Sequence, residues 1–544
     1  MKKMKIILQS IAIGLLACLS VKAQEFKESV EPLSKKAIKG HLYDISRDES
    51  GKSFVTYKMK VDKSSEEVAF EEYSFDKDLK FLGSKDTQEK KEMKSDVEAT
   101  SFVAYVGGTT SFDVLSMKLK LQKLVVQKQW VHEKQGYKTK KVISRENIKP
   151  KNDDGKVYLG YASYESSRPS EPDLFVLAKA ESKDKGQADK FRVVLFSTDL
   201  EIKETLLELE GSHSLVFCTQ LTSDDVVAVF APNVTGPDPS KYVYFKFDIR
   251  GKILGRTEFK SPATALLITS AYEKDGSMYF FGTSTKSNEC FNRVFNEYAP
   301  IYNPGYTEGG NNKLDFKWQK SLEEKMDNFH ILKFSDNKLA FASTTPVADF
   351  KSKFRPAVGD KGATPYKGRR FFVESFVVTA NEDYLIAGQL MGSVSMGTGN
   401  KVDSYEDVVC FHFDKTGALK AQYGLGKLNN DKKSEIFDMM QNFYLSPDGK
   451  SAYWEVMEVK GIKGYEGFLE AYYGVPSFYP LYYPRLGKID LTNSTVGAFK
   501  TMGDGKYFLK RNFIRQQDTT ENSVTYFGHD DDFKSLWVGK MLMQ

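Results

Sequence analysis

The 544-residue sequence predicts an all-β fold, a β-propeller of roughly seven to eight four-stranded blades behind a cleaved signal peptide. Three observations predict it. Short segments rich in Val, Ile, Phe, Tyr and Thr, bounded by Gly, Asp, Asn and Pro, recur from about Tyr43 to the C-terminus, while extended helical periodicity is scarce. Two kinds of strand unit alternate at spacings of about 50 residues or loose multiples of that, the span of one four-stranded blade. No Pro/Ser/Gly-rich linker divides a chain that is too long for one simple core. A small sheet cannot shield both of its faces alone, and stacking around an axis shields them. Two or three β-sandwich domains would offer similar strands and turns; the missing linker favours the repeat.

At the N-terminus, Lys2, Lys3 and Lys5 precede an apolar run from Ile6 to Val21. That run is too short and interrupted to span a bilayer, so residues 1–23 read as a secretory signal with Ala23 as the small cleavage residue. Leu15-Leu16-Ala17-Cys18 places a cysteine behind a small residue, so a lipid anchor at Cys18 is the alternative, although Leu16 is bulky for that site. No later stretch approaches the ~20 apolar residues of a transmembrane helix. The expected location is therefore outside the cytoplasm, in the periplasm or at the outer membrane of a Gram-negative bacterium. Residues 24–42 read as a polar arm, or as an outer strand that closes the ring, and residues 43–544 as the propeller.

The formal charge of +5 includes Lys2, Lys3, Lys5 and Lys22, which leave with the signal and have no acid beside them. The remainder carries about +1, so no global field draws in nucleic acid or an anionic membrane. Cys218, Cys290 and Cys410 then remain, odd in number and far apart, so no disulfide framework is implied. Cys218 and Cys410 sit in apolar runs and read as small core residues.

The first kind of strand unit is a strand, a turn opened by Asp, and a second strand: EEYSFDKDLKFLG (71–83), RVVLFSTDLEIKETLL (192–207), VYFKFDIRGKILGRTEF (243–259), VVCFHFDKTGALKAQYG (408–424) and PRLGKIDLTNSTVGAFK (484–500). The second is a strand that follows a polar tip: DDVVAVFAPN (224–233), DGSMYFFGTST (275–285), DNKLAFASTT (336–345), EDYLIAGQLMG (382–392), DGKSAYWEVME (448–458) and NSVTYFGHDDD (522–532). Helix is the minor component, expected in short pieces at Thr87–Met93 and Leu322–Asp327. The segment YLSPDGKSAYWEV (444–456) resembles the Ser-Pro-Asp-Gly-Lys turn of TolB-like and related secreted bacterial propeller repeats. That resemblance covers single turns; it implies the fold and carries no catalytic residue across.

Motifs for chemistry are absent. No G-x-S-x-G occurs, and the nearest stretch, MGSVSMGTG (391–399), has Ser393 in place of the first glycine, so it reads as a loop after a strand. YGLGKLNN (423–430) lacks the spaced glycine and the hydroxyl of a phosphate loop. His41, His132, His213, His330, His412 and His529 are scattered without metal-ligand spacing. The acidic segments HDDD (529–532) and KNDDGK (151–156) lack the alternation of a calcium loop and read as solvated turns. No metal and no cofactor is expected.

Two loops are both aromatic and proline-containing, YAPIYNPGYTEGG (298–310) and EAYYGVPSFYPLYYPRLG (470–487). Aromatic rings on a stiffened backbone lose little entropy on meeting a partner, so Tyr302, Tyr306, Phe478, Tyr479, Tyr482 and Tyr483 are the candidate binding residues. The competing reading is that these rings fold back over their own sheet edges. A lysine-rich stretch between Lys118 and Lys151 reads as a solvated edge strand. A second basic segment, DFKSKFRPAVGDKGATPYKGRR (349–370), reads as a long, irregular, mobile loop that could engage an acidic partner. The functional expectation is an exported cell-envelope protein that binds or scaffolds, with a protein or glycan partner. The alternative is a secreted polysaccharide- or peptide-degrading enzyme whose acids gather at the propeller channel.

Overall fold

The structure, a computed structural model, describes residues 26–60, 67–90, 97–101, 105–106, 117–120, 124–134, 137–148, 158–165, 174–180, 190–196, 201–233, 238–295, 325–395, 401–428, 432–465, 477–509 and 515–543. It is all-β, a succession of antiparallel sheets. The first sheet runs in order through His41–Arg47, Ser53–Lys58, Glu67–Phe75 and Phe81–Lys90. The second contains Tyr158–Glu165, Leu174–Ala180, Phe191–Phe196 and Ile202–Leu206, extended beyond Tyr158–Glu165 by Met117–Lys120 and Tyr105–Val106. The third is His213–Gln220, Val226–Pro232, Lys241–Phe247 and Ile253–Lys260. The fourth is Leu266–Lys274, Ser277–Ser284, Asn328–Ser335 and Lys338–Pro346. The fifth is Phe371–Val378, Tyr384–Ser395, Lys401–Phe413 and Leu419–Leu425, with Phe354–Pro356 added in parallel. The sixth is Gln441–Leu445, Ser451–Tyr465, Ser477–Asp490 and Thr495–Val496. The seventh joins Arg515–Asp518, Ser523–His529 and Ser535–Leu542 to Phe26–Pro32 from the other end of the chain, in register from Phe26–Met541 to Pro32–Ser535. A separate three-stranded sheet is formed by Val97–Ser101, Leu124–Lys134 and Tyr137–Ile148.

The turns opened by Asp explain themselves locally. In Asp414–Ala418 the carboxylate accepts from the amides of Thr416 at 2.8 Å and Ala418 at 3.1 Å, and Gly417 takes φ +78° to complete the turn. Asp76–Lys80 is built the same way, with the carboxylate accepting from Asp78 and Lys80 at 2.9 and 2.8 Å. There the left-handed position is held by Leu79 at φ +66°, a strain offset by burying its side chain among Phe75, Tyr73 and Leu536.

Second strands are buried on both faces, as in Val226–Pro232, and read as continuous apolar runs; outer strands such as Lys338–Pro346 alternate. DNKLAFASTT is the expected strand behind a polar tip; it is the outermost strand of its sheet, and its alternation separates it from Val226–Pro232.

Consecutive sheets share cores. One cluster spans the third, fourth and fifth sheets through Val227, Phe280, Phe329, Phe376 and Phe411; a second spans the fifth, sixth and seventh through Leu385, Trp454, Tyr526 and Trp537. A third joins the second and third sheets through Phe175 and Phe230, and a fourth joins the seventh and first through Val538, Val55 and Tyr57. Buried polar bridges reinforce these seams: Tyr57 Oη lies 2.6 Å from His529 Nε2, and the fully buried Glu455 of the sixth sheet accepts from Tyr526 Oη of the seventh at 2.5 Å and pairs with Arg515.

Some expectations are corrected. Thr87–Lys90 is strand, paired to Glu67–Phe70, because that pairing satisfies backbone groups an isolated short helix would leave open; residues 91–96 lie outside the described residues. At Lys325–Asp327 the backbone is not helical, and residues 322–324 lie outside the described residues. The basic segment 349–370 is fastened rather than free. Phe350 and Tyr366 are buried, and Arg369 and Arg370 form bidentate pairs with Glu406 and Asp403. Cys218, Cys290 and Cys410 are buried free thiols. The signal peptide and Cys18 lie outside the described residues, and among the described residues no helix is long and apolar enough to cross a membrane.

Candidate functional site

The first strands of neighbouring sheets lie against one another. Leu266–Lys274 touches both His213–Gln220 and Phe371–Val378, and Phe371–Val378 touches Gln441–Leu445. Gln516 of the seventh sheet donates to Ile45 O of the first at 3.4 Å, so these two first strands also meet. Several of these first strands carry buried polar atoms without partners. Asp44 Oδ2, Thr269 Oγ1, Glu374 Oε1, Gln441 Nε2 and Gln516 Oε1 are each covered by protein yet have no hydrogen-bond partner among the described residues. Leaving such a group unmet costs about 1–3 kcal/mol.

Local backbone geometry aims two of them. In the fifth sheet the pairing register slips between Val373 and Ser375, leaving Glu374 as an extra residue; in the fourth it slips between Ile268 and Ser270, leaving Thr269. The strand opposite must then come very close. A Cβ on Gly388 would stand 1.9 Å from Phe372 O, and one on Gly282 would stand 2.7 Å from Leu267 O. Related slips occur at Tyr43, Tyr161 and Val216 in the first, second and third sheets. In the fourth and fifth sheets the extra residue is polar.

Gln389 ties this edge to the next sheet. Its Nε2 donates to Glu406 O at 3.1 Å and its Oε1 accepts from Met439 N at 2.6 Å, which brings the segment entering Gln441–Leu445 alongside Phe371–Val378. Burial, reinforced by the neighbouring Asp438 carboxylate, pushes the Glu374 carboxyl up to about 8. It is therefore protonated at neutral pH and can donate. Burial likewise raises Asp44, against a backbone hydrogen bond from Ile45 that lowers it. Gln441 is 6% exposed, and its Oε1 accepts from Trp454 Nε1 at 3.0 Å, which fixes the carboxamide and turns its NH2 away from the indole. Arg369 and Arg370, which head the strand, pair with Glu406 and Asp403, while the buried Arg370 Nε has no hydrogen-bond partner among the described residues; Lys427 donates to Tyr405 O at 2.6 Å. Phe372, 39% exposed, meets Tyr405 edge-on at 5.7 Å. The unpartnered atoms of Thr269, Glu374 and Gln441 are closed off from solvent, so the chemistry they offer is that of donors and acceptors held inside the protein.

Other polar clusters are internal braces. His412 is fully buried between Asp383 Oδ2 at 2.9 Å and Tyr423 Oη at 3.0 Å, with Lys420 Nζ 3.0 Å from the same carboxylate. Ser284 Oγ lies 2.8 Å from His330 Nε2 with both residues buried, and burial lowers His330 to about 4. Among the described residues no group of three or more His, Cys, Asp or Glu is placed to hold a metal.

The aromatic residues singled out by sequence fall differently. Tyr302 and Tyr306 lie outside the described residues. Phe478 and Tyr479 pair by backbone with Gly464 and Lys463, and their side chains lie outside the description. Tyr482 and Tyr483 are corrections: both belong to the strand Ser477–Asp490 and are buried, 1% and 6% exposed. Tyr482 exchanges backbone hydrogen bonds with Leu509 at 3.1 and 2.7 Å, and burial raises the Tyr483 phenol. They cover their own sheet, as the competing reading held. Glu374, Asp438, Thr269 and Gln441 were not singled out. The signal that could have found the two slipped positions is the glycine closing YFFG (279–282) and LIAG (385–388).

No family model matches the chain, and no curated protein matches it. Among solved structures, the N-terminal domain of Nup159 is similar at 8% identity over 96% of this chain and 97% of that chain, with a TM-score of 0.27. A lignostilbene dioxygenase from Pseudomonas brassicacearum is similar at 9% identity over 96% and 93%, TM-score 0.28. A protein of unknown function from Bacteroides caccae is similar at 9% identity over 73% and 92%, TM-score 0.24. At these values the similarities assign neither activity nor ligand.

Proposed function

We propose that this chain is an exported β-propeller of the cell envelope, periplasmic or outer-membrane associated, that acts as a binding or scaffolding protein for a protein or glycan partner. In this reading the four- to six-stranded sheets are seven blades, the three-stranded sheet is an insertion, and Phe26–Pro32 closes the ring by completing the last blade. The observation that supports the binding role is the set of buried polar atoms without a partner on five first strands, which a closed ring would gather around its axis. The test is capture of partners from the native envelope with the tagged chain, comparing wild type with a Thr269→Val, Gln441→Leu variant of unchanged melting temperature. Loss of a partner supports the role, and an identical set of partners removes the inner edge from it.

A second reading, a hydrolase of polysaccharide or peptide, is favoured by the protonated Glu374 beside Asp438. It requires turnover of a polymer by wild type that Glu374→Gln abolishes. Turnover retained in that variant would exclude Glu374 as the acid.

A further inference from the structure

We infer that the end of the fifth sheet where its first strand enters and its fourth strand leaves is a docking surface for an anionic lipid bilayer, with Val358 and Leu428 as apolar tips among exposed cations. The inference goes beyond the binding role proposed above and uses none of its residues. Val358 and Leu428 are the two most exposed large apolar side chains among the described residues, at 66% and 59%. They come from separate segments that the backbone ties together. Phe354–Pro356 runs parallel to Leu419–Leu425 with Pro356 opposite Gly424, and Ala357 N donates to Gly424 O at 3.0 Å. The Asp360 carboxylate then accepts from the amides of Gly362 at 2.8 Å, Ala363 at 3.1 Å and Gly426 at 2.6 Å. Val358 stands two residues from Asp360 and Leu428 two from Gly426, so both tips fall within a patch of roughly 20 Å. Gly359 turns the chain beside Val358 at φ +82°, and a Cβ added there would meet nothing within 4 Å, so this turn projects from the protein.

Four exposed cations accompany the tips: Arg355, Lys361, Lys367 and Lys325. Lys325 belongs with them because its side chain runs past Gly368, where an added Cβ would stand 3.2 Å from its Cγ. Among the described residues the ion pairs of this end are those of Arg369, Arg370 and Lys427 with Glu406, Asp403 and Glu435, and none of the four exposed cations forms one. Arg370 is not counted, because Asp403 holds both of its terminal nitrogens and its unpartnered Nε is buried. The acids nearby are occupied: Asp360 by three amides, Asp407 by Thr364 Oγ1 at 3.1 Å and Asp327 by Lys286 N at 3.0 Å. Asp349 is exposed, but it precedes Phe354–Pro356 and so lies toward the opposite end of the sheet, with Lys351 and Lys353 beside it. An isolated apolar tip on a projecting turn suits the headgroup zone of a bilayer, which takes it up without a preformed hollow and offers each cation a phosphate oxygen. An acidic protein would have to supply a hollow for each tip and a carboxylate for each cation at fixed positions. The small net charge of the mature chain gives no long-range pull, so attraction acts only within about 10 Å of this end.

The experiment is flotation of the mature chain, beginning at Gln24, with vesicles of phosphatidylglycerol and phosphatidylethanolamine in equal parts, and with phosphatidylcholine vesicles as the neutral control. Binding to the anionic vesicles and not to the neutral ones is expected, weakened by added salt because the exposed charges are screened. The paired reversal Lys361→Glu, Lys367→Glu and the paired substitution Val358→Ser, Leu428→Ser should each lower the vesicle partition coefficient about tenfold or more. These side chains are exposed, so both variants should keep the wild-type melting temperature. Val358→Trp should show blue-shifted emission on anionic vesicles, which reports entry of the tip into the bilayer. Soluble polyglutamate probes the acidic-protein alternative and should bind more weakly than the vesicles at equal charge, with no emission shift. Absence of binding to anionic vesicles at low salt, equal binding to phosphatidylcholine, wild-type partition in both paired variants, or Val358→Trp emission unmoved by vesicles would overturn the inference. Tighter binding of polyglutamate than of vesicles would also overturn it and assign the surface to an acidic protein.

Discussion

At Gly388 the backbone leaves no room for a side chain, since a Cβ would lie 1.9 Å from a carbonyl oxygen of the neighbouring strand. Gly388→Ala is therefore expected to cost about 3 kcal/mol, read as a lowered urea midpoint at unchanged m. The same substitution at Gly461, where nothing lies within 4 Å of the added carbon, should cost far less. Glu374 supplies a pH dependence whose sign follows from its environment. Its carboxyl is raised from the ordinary 4.5 to about 8, so between those values the folded state holds a proton that the unfolded state has released. Stability from this group is full below about 4.5 and is lost as pH climbs through about 8. Glu374→Gln should flatten the fall in urea-unfolding free energy across that window, and an unchanged slope would refute the burial argument. Neither residue was legible as special in sequence. A glutamate in FFVESFVV reads as one polar position in a strand, and only the one-residue slip opposite Gly388 sets it apart from the ladder.

At the scale of elements, the Asp-opened hairpins were legible because their cause is local: a carboxylate bonded to amides two and four residues on, with a left-handed residue between. Strand position within a sheet was legible in part, because burial on both faces removes alternation and exposure of one face restores it. The strand from Phe26 to Pro32 was not settled by sequence. It is polar, and its place depends on Ser535–Leu542 offering an open edge more than 500 residues away. Removing residues 24–32 should leave that edge unpaired and free Trp537 Nε1 from Glu28, 3.0 Å away. The expected result is a shift of tryptophan emission, a fall in melting temperature and concentration-dependent association through the bared strand. A truncated chain with wild-type melting would show that the pairing contributes nothing to stability.

Across the whole molecule, cores that straddle sheet boundaries couple the sheets thermodynamically. Phe411 meets Phe329, Phe371, Phe350 and Tyr366 at centroid distances of 5.0 to 5.3 Å, bringing the fourth and fifth sheets and the segment between them into one contact group. Phe411→Ala should cost about 3–5 kcal/mol and move one calorimetric transition downward as a unit. A separate early transition would mean that the sheets unfold independently. By itself the sequence determined the all-β class, the hairpin turns and the apolar strands, because each depends on residues within a few positions of one another. Tertiary structure alone decided that Tyr482 and Tyr483 are buried, that the basic segment 349–370 is fastened, and that the strands carrying Thr269, Glu374 and Gln441 lie side by side. These outcomes depend on which strands of different sheets lie side by side, and no local pattern of polarity encodes that adjacency.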